Sequence, residues 1–302
     1  KISVKIAEPS TDTTKIVQDT ANKNNYQVVV KPVDFEITCT SGSKTVSVTK
    51  FNGYVERMVA IPDGIDPSKV TTGIVLNNDG TFSHVPTTII KIDGKYYAKI
   101  NSLTNSTYSV IYNPIEFADV AKHWAKESIN EMGSRLVISG VGSNNYEPNR
   151  DITRAEFAAI MVRALGLAPD ATKSSFSDVA DPKWYSGYVG TAASYGIISG
   201  YDTDTFAPND KITREQAMTM VARAMAITDL EATTADLNTG TPLTGYSDTN
   251  KISGYAKASI ITCLNTGVVT GKTAETIAPK ANITRAEVAV IIERLLKKSK
   301  LI

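Results

Sequence analysis

One short phrase occurs three times in this 302-residue chain, each time at the same point of a longer repeat. It reads ITRAEF from Ile152, ITREQA from Ile212 and ITRAEV from Ile283. In each copy a threonine stands three residues before a glutamate or glutamine, which is the pattern of a capping box at a helix N-terminus. An apolar stripe with helical spacing follows the phrase, so each copy predicts the start of a helix.

The repeat extends well beyond this phrase. A glycine lies fourteen residues before each arginine of the phrase, and a proline lies six residues before it. Upstream, the segments FADV, FSDV and YSDT each supply an aspartate, and a tryptophan or tyrosine follows. A period of about 55 to 70 residues predicts an array of one supersecondary unit, here helix, loop, helix. Since neither short helix can bury its apolar face alone, we expect a pseudo-threefold cluster with grooves between neighbouring copies.

The first 113 residues show a different pattern. Short β-branched and aromatic runs such as YQVVV, KTVSVTKF and TYSVIY alternate with turn signals such as DGID and IDGK. This pattern predicts an all-β sandwich or small barrel. Its single histidine, His84, has no candidate partners for a catalytic triad, and Asp79 and Asp93 stand in Asp-Gly turns. The predicted domains are a β-rich module at 1–113 and repeats at 114–172, 173–241 and 242–302.

Composition excludes several classes of protein. A net charge of +1 offers no field to gather nucleic acid, and the apolar runs are too short to span a membrane. The two cysteines, Cys39 and Cys263, fall in different predicted domains, so we expect no disulfide, and Cys263 is expected to be a buried, inert thiol. The chain opens on KISVKIAEP, which reads as an interior strand, so we expect a fragment of a larger protein.

With the aspartate, the aromatic residue, the glycine and the phrase in register three times, the region from about Pro114 to Lys300 resembles the S-layer homology family. The resemblance implies an all-α, three-pronged unit that tethers exported proteins to the secondary cell wall polysaccharide of Gram-positive bacteria. The implied ligand is N-acetylmannosamine carrying a pyruvate ketal, and neighbouring surface-layer proteins are further implied partners. The first 113 residues look like the β-module that often precedes such trios. A secreted, cell-surface location follows, with no catalysis, cofactor or metal.

The arginine of each phrase needs a reason other than capping, because the helix dipole disfavours a cation in the first turn. The resemblance supplies a carboxylate ligand, and a helix N-terminus with free N–H groups beside a guanidinium would suit it. We therefore predict that the three arginines capture the carboxylate: Arg154, Arg214 and Arg285. The alternative is that each arginine extends over the cluster and pairs with a nearby acid.

Three further sets of repeated residues are candidate ligand-binding positions. The aspartates could accept bonds from sugar hydroxyls or cap helices. The tryptophans could stack on a sugar or lie in the core, and the glycines are expected to supply positive φ angles and access to a groove. The candidates are Asp119, Asp178 and Asp248, Trp124 and Trp184, and Gly140, Gly200 and Gly271.

The copies are not identical. The third has Tyr255 in place of tryptophan and a less polar loop, so we expect the groove of Arg285 to be the weakest. Leu136 occupies the place of a helix-ending glycine, so the turn of the first copy is expected to differ. The favoured function is wall anchoring; the alternatives are a protein-interaction or S-layer self-assembly module, or the C-terminal part of a surface glycan-degrading enzyme.

Overall fold

The computed structural model describes residues 1–77, 79–170, 174–230 and 243–302. It has a β-sandwich-like N-terminal module and a helical C-terminal part, which confirms the predicted fold class. The predicted borders between repeats, at 172/173 and 241/242, lie outside the described residues.

The N-terminal module contains two antiparallel sheets that enclose a small core around Ile100, Tyr108 and Val110. The first sheet has the order β1-β2-β9-β5-β6, with β3 also paired to β2, and the second has the order β4-β8-β7. The strands are β1 (Ile2–Ala7), β2 (Gln27–Ser41), β3 (Lys44–Val48), β4 (Lys50–Ala60), β5 (Thr72–Leu76), β6 (Phe82–Val85), β7 (Thr87–Ile92), β8 (Lys95–Thr104) and β9 (Thr107–Tyr112).

One helix, α1 (Thr11–Lys23), interrupts the strands and was not predicted. It begins after Ser10, whose hydroxyl accepts a hydrogen bond from the Thr13 N–H. Only Val17 and Ala21, one helical turn apart, are buried on it. A segment with so few apolar residues has too weak a period to be distinguished from a polar loop by its sequence.

The C-terminal part repeats one helix–loop–helix unit, as the sequence predicts. The helices are α2 (Lys126–Ser134), α3 (Arg154–Ala164), α4 (Ser186–Ser194), α5 (Arg214–Ile227), α6 (Lys257–Asn265) and α7 (Arg285–Lys298). All three predicted capping boxes are present, at the starts of α3, α5 and α7.

The three copies meet around a closed ring of backbone hydrogen bonds. The N–H of Ile152 donates to Ile283 O (3.1 Å), that of Ile283 to Ile212 O (3.1 Å), and that of Ile212 to Ile152 O (3.2 Å). All three side chains are fully buried. This ring lies on the pseudo-threefold axis and explains why isoleucine opens each phrase.

The β-module packs against the first repeat through polar contacts. Tyr54 Oη donates to Leu165 O (2.9 Å), and Asn113 Nδ2 donates to Ser134 O (2.8 Å). Gly166 has a φ of +67°, and a Cβ there would lie 2.8 Å from the ring of Pro86. The two parts are therefore in intimate contact.

The turn after α2 corrects one expectation. Leu136 has a φ of +63°, the same left-handed conformation as Gly196 (+68°) and Gly267 (+63°). The first copy therefore makes the same turn with a leucine. Its bond from Val137 N to Met132 O (3.0 Å) is the helix-ending bond that a left-handed residue makes possible.

Candidate functional site

The phrase arginines are buried and reach from one copy into the next. Arg154, Arg214 and Arg285 are 2%, 3% and 5% exposed. In each arginine, Nε donates to the backbone carbonyl two residues before the loop proline of the next copy. Nη2 donates to the backbone carbonyl of the residue just before the loop glycine of that copy. The acceptors are Phe206 and Ser199 for Arg154, Ile277 and Thr270 for Arg214, and Tyr146 and Ser139 for Arg285. The first copy thus engages the second, the second engages the third, and the third engages the first.

The helix N-termini are not free to bind an anion, contrary to the sequence-based expectation. In α3 the N–H of Arg154 donates to Asp210 O (2.9 Å) and that of Ala155 donates to Pro208 O (3.0 Å). The N–H of Glu156 donates to the hydroxyl oxygen of Thr153, the N-cap residue. The first two N–H groups of α5 and of α7 likewise donate to backbone carbonyls in the loop of the adjacent copy. The loop of the adjacent copy therefore satisfies the N–H groups that a helix start leaves unpaired.

Three grooves lie between the copies, and every copy contributes to each of them. A groove takes its arginine from one copy, its glycine loop and second helix from the next, and its exposed aromatic ring from the remaining copy. This corrects the expectation that the groove of Arg285 is built mainly from the third copy. Tyr255 of the third copy belongs to the groove of Arg154, and Arg285 faces the Trp184 ring. The reason given for a weak Arg285 groove is therefore wrong.

Groove A has a volume of about 450 Å³ and is lined by Arg154, Gly200, Tyr201, Gln216, Arg223 and Tyr255, among others. Arg154 lies over the rings of Tyr201 (4.3 Å) and Phe206 (4.6 Å), and burial lowers its pKa. The third position of α5 is the neutral Gln216. Within the described part of the chain, no carboxylate forms an ion pair with Arg154.

Groove B has a volume of about 410 Å³ and is lined by Trp124, Arg214, Gly271, Lys272, Glu287 and Arg294, among others. Here the arginine has an acidic partner, because Arg214 Nη1 lies 2.9 Å from Glu287 Oε1. Lys272 Nζ lies 2.7 Å from the same oxygen. Burial alone would raise the pKa of Glu287, but the bonds from Lys272 and Thr284 hold it below its usual value.

Groove C is the smallest, at about 220 Å³, and is lined by Gly140, Arg150, Glu156, Arg163, Trp184 and Arg285, among others. Arg285 Nη1 lies 3.6 Å from Glu156 Oε1, and Arg150 Nη2 lies 2.6 Å from it. The grooves therefore differ in volume, in the aromatic ring that they present, and in whether the buried arginine already has a carboxylate partner.

The aromatic residues of the repeats are exposed at the grooves and are not core residues. Trp124, Trp184 and Tyr255 are 67%, 57% and 59% exposed, and each lines a groove. Tyr255 Oη donates to Glu215 Oε1 (3.2 Å), which fixes that ring relative to α5.

The loop glycines do not have positive φ angles, which corrects the first reason given for them. A Cβ on Gly200 would lie 2.4 Å from both Asp202 O and Thr205 O and 2.7 Å from the Phe176 ring. Gly140 and Gly271 are enclosed in the same way by their loop carbonyls and an aromatic ring. Each glycine lets the loop close tightly and leaves the groove open above it.

The three aspartates hold the loops closed. Asp119 accepts bonds from Tyr146 N (2.9 Å) and Glu147 N (2.7 Å), and Glu147 has a φ of +57°. Asp178 binds Phe206 N and Ala207 N, and Asp248 binds Ile277 N and Ala278 N, with the same left-handed second residue. These carboxylates neither cap a helix nor line a groove, and their bonds to the loop N–H groups give them a structural role.

A second arginine lines each groove and was missed. Arg163, Arg223 and Arg294 stand nine residues after the phrase arginines. Nine residues are about two and a half helical turns, so the two arginines leave opposite faces of one helix. The phrase arginine enters the groove formed by the loop of the next copy, and the second arginine lines the groove formed by the loop of its own copy. The constant spacing was visible in the sequence.

The charge of the grooves favours an anion. In each lining, cationic side chains outnumber carboxylates by two. Within the described residues, no cluster of three or more His, Cys, Asp or Glu side chains could hold a metal. A small ligand with a carboxylate and an apolar face matches a buried guanidinium opposite an exposed ring.

Comparison with known proteins places this geometry in a family. The family described as S-layer homology domain matches residues 116–158, 175–218 and 245–289. An amylopullulanase of Thermoanaerobacterium thermosulfurigenes is 34% identical over 283 residues, which are 92% of this chain and 14% of that protein. An exoglucanase of Acetivibrio thermocellus is 35% identical, over 65% of this chain and 18% of that protein.

A third relative is the S-layer protein sap of Bacillus anthracis, 33% identical over 59% of this chain and 21% of that protein. The chain thus spans about a fifth or less of these relatives. None of the helices described is both long enough and apolar enough to cross a membrane. Residues 116–289 belong to the S-layer homology family, as three tandem domains of a cell-surface anchoring module.

Proposed function

We propose that the grooves bind the secondary cell wall polysaccharide of Gram-positive bacteria through a pyruvylated N-acetylmannosamine-type sugar. This binding attaches the protein to the wall without a covalent bond. The resemblance of the repeats to their family suggests the ligand, and two physical properties of the grooves support it. These properties are an excess of positive charge and an exposed aromatic ring at each groove.

The observation that carries the proposal is the guanidinium of Arg154. It is 2% exposed, and its described hydrogen bonds go to two carbonyl oxygens and to no carboxylate. Asp210 and Asp178 offset this buried charge only from a distance, so a ligand carboxylate bonded to Arg154 in groove A would remove a cost as well as add a bond. A charge-assisted bond of this kind contributes about 1.5 to 3 kcal/mol.

The aromatic rings supply the second contact. A pyranose ring and an N-acetyl methyl group have apolar faces that pack on a flat aromatic side chain. Trp124, Trp184 and Tyr255 offer such faces to grooves B, C and A. Tyr255 is positioned by its bond to Glu215, so the smaller ring of groove A is held in place before the ligand arrives.

The proposed order of affinity is A, then B, then C. In groove B the ligand carboxylate must share Arg214 with Glu287, although Lys272 and Arg294 add positive charge. In groove C the space is about 220 Å³, and Glu156 is already bonded to Arg150 and lies near Arg285. The sequence also ranks the groove of Arg285 last, but the reason is now the small volume and the nearby Glu156 rather than Tyr255.

The test is co-sedimentation of the chain with purified sacculi, before and after acid removal of the wall polysaccharide, followed by calorimetry with isolated glycan. Removing the ketal pyruvate should weaken binding by about tenfold to a hundredfold, since 1.4 kcal/mol corresponds to a factor of ten. Equal binding of the depyruvylated glycan would show that the arginines serve only to hold the copies together.

The identity of the attached protein is a further proposal. Two of the relatives are named as glycan-degrading enzymes and one as an S-layer protein. We propose that the full-length protein carries an enzyme or lattice domain of that kind, anchored by this chain. Fractionation of the producing bacterium, with and without displacement by free wall glycan, tests whether one activity is released together with this chain.

A further inference from the structure

The edge strand β1 presents unpaired backbone groups to solvent. Lys1 and Thr40 exchange both backbone hydrogen bonds, from Lys1 N to Thr40 O (2.7 Å) and from Thr40 N to Lys1 O (2.8 Å). Bonding alternates along an antiparallel pair, so the odd-numbered residues of β1 bond to β2. The N–H and C=O groups of Ile2, Val4 and Ile6 therefore point away from the sheet.

The same three residues form an exposed apolar strip. Ile2, Val4 and Ile6 are 72%, 61% and 63% exposed, and they lie on one face because side chains alternate along a strand. On that face, Val4 is opposite Ile37 of β2, and Ile37 is opposite Val48 of β3. Proteins usually protect an edge of this kind with charges, a proline or a covering element.

We propose that β1 pairs with β1 of a second copy, antiparallel and centred on Val4, so that two molecules share one continuous sheet. The two-fold must set outward-pointing residues opposite each other, and centring it on Val4, the middle one of the three, pairs all of them, whereas centring it on Ser3 or Lys5 pairs only two. This register sets Val4 against the partner's Val4 and Ile2 against the partner's Ile6. It forms three hydrogen-bonded pairs, about six hydrogen bonds.

The side chains agree with this register. Apolar residues face apolar residues on one side of the new sheet. On the other side, Lys5 faces the partner's Ser3 and Lys1 faces the partner's Ala7, so no lysine opposes a lysine. Centring on Ile2 or Ile6 instead would leave about half of the strand without a partner. Among the two-fold registers, the one centred on Val4 alone pairs all three outward-pointing residues of β1.

The β1 edge is separate from the rest of the molecule's contacts. The β-module meets the first repeat through Tyr54, Asn113 and the Pro86 ring, which belong to other segments. Pairing through β1 therefore leaves the grooves as they are. The contact is small, so it becomes important when molecules are held close together on one surface, where the effective concentration is high.

The test measures the mass of the 302-residue chain by analytical ultracentrifugation from about 10 µM to about 1 mM, a range suited to weak interfaces. We expect the mass to rise from 32.5 kDa toward twice that value. Val4→Lys and Val4→Glu should each stay monomeric, because like charges would face each other at the two-fold. An equimolar mixture of the two variants should form a heterodimer, since residue 4 then faces an opposite charge.

Val46→Lys is the matched control, because Val46 is an exposed apolar residue (51%) of β3, which pairs with β2 on the side opposite β1. It should dimerise like the unmodified chain, and circular dichroism should show that all variants are folded. A monomeric parent chain at every concentration would refute the proposal and leave the strip to a different partner. If both Val4→Lys and Val46→Lys abolish pairing, or if the mixture stays monomeric, the contact does not use this edge and register.

Discussion

The substitution Gln216→Glu tests the account of groove A most directly. Gln216 is the third residue of α5, and its side-chain oxygen accepts the Thr213 N–H at 3.0 Å. Glu156 and Glu287 make the same bond at 2.8 and 2.9 Å at the starts of α3 and α7. Glutamate can therefore replace Gln216 without loss of the cap, and it adds a carboxylate next to Arg154.

The magnitude follows from the other two grooves. Glu287 lies 2.9 Å and Glu156 lies 3.6 Å from the arginine that each of them faces. A glutamate at position 216 should reach Arg154 at a similar distance and compete with the ligand. Loss of a charge-assisted bond of about 1.5 to 3 kcal/mol corresponds to an affinity about tenfold to a hundredfold lower in groove A. The free energy of unfolding should stay equal or rise, because a buried charge gains a partner.

Calorimetry with pyruvylated glycan, together with urea unfolding, separates these two effects. Glu287→Gln is the reciprocal control, because it keeps the capping bond and frees Arg214, so the affinity of groove B should rise. If Gln216→Glu binds glycan as tightly as the parent chain, Arg154 is not the carboxylate anchor. If it unfolds more easily, the pairing of the new carboxylate with Arg154 is wrong.

Three further predictions concern stability and are measured by urea unfolding. Leu136→Gly should raise the free energy of unfolding by about 0.5 to 1 kcal/mol, because it removes a left-handed leucine; a decrease would show that leucine packing dominates. Asp178→Ala should lower it by about 2 kcal/mol, since the Phe206 and Ala207 N–H groups lose their acceptor, and an unchanged midpoint would contradict that role. Burial, with a smaller effect from the Arg135 charge, lowers the pKa of His84 to about 3. Between about pH 6.5 and pH 3 this histidine is protonated in the unfolded chain but not in the folded one. As the pH is lowered through that window, the free energy of unfolding should therefore fall by at most about 1.4 kcal/mol per pH unit. His84→Asn should flatten this dependence, and an equal slope in the variant would assign it to other groups.

The sequence predicts those parts of the fold that rest on local rules. Capping boxes at Thr153, Thr213 and Thr284 are decided within one helical turn, and the structure has all three. The clustering of three copies also follows, because a repeated amphipathic unit must bury its apolar face against its neighbours.

What the sequence does not reveal is which copy each side chain meets. The order of the copies around the axis decides that Arg154 shares a groove with Tyr255, residues that are far apart in the chain. The role of Asp119 was missed for the same reason, because its N–H partners lie 27 and 28 residues away. The significance of Gln216 appears only when Arg154 is seen opposite it, since its capping role makes glutamine and glutamate look equivalent.

The closed ring of Ile152, Ile212 and Ile283 limits how such an anchor can change in evolution. Because every groove takes one part from each copy, a chain with two copies would form no complete groove. A fourth copy would find no free carbonyl or N–H group in the ring to join. Gene duplication can therefore increase the number of binding sites only by adding a whole new trio, so the valency of this kind of wall anchor rises in steps of one trio.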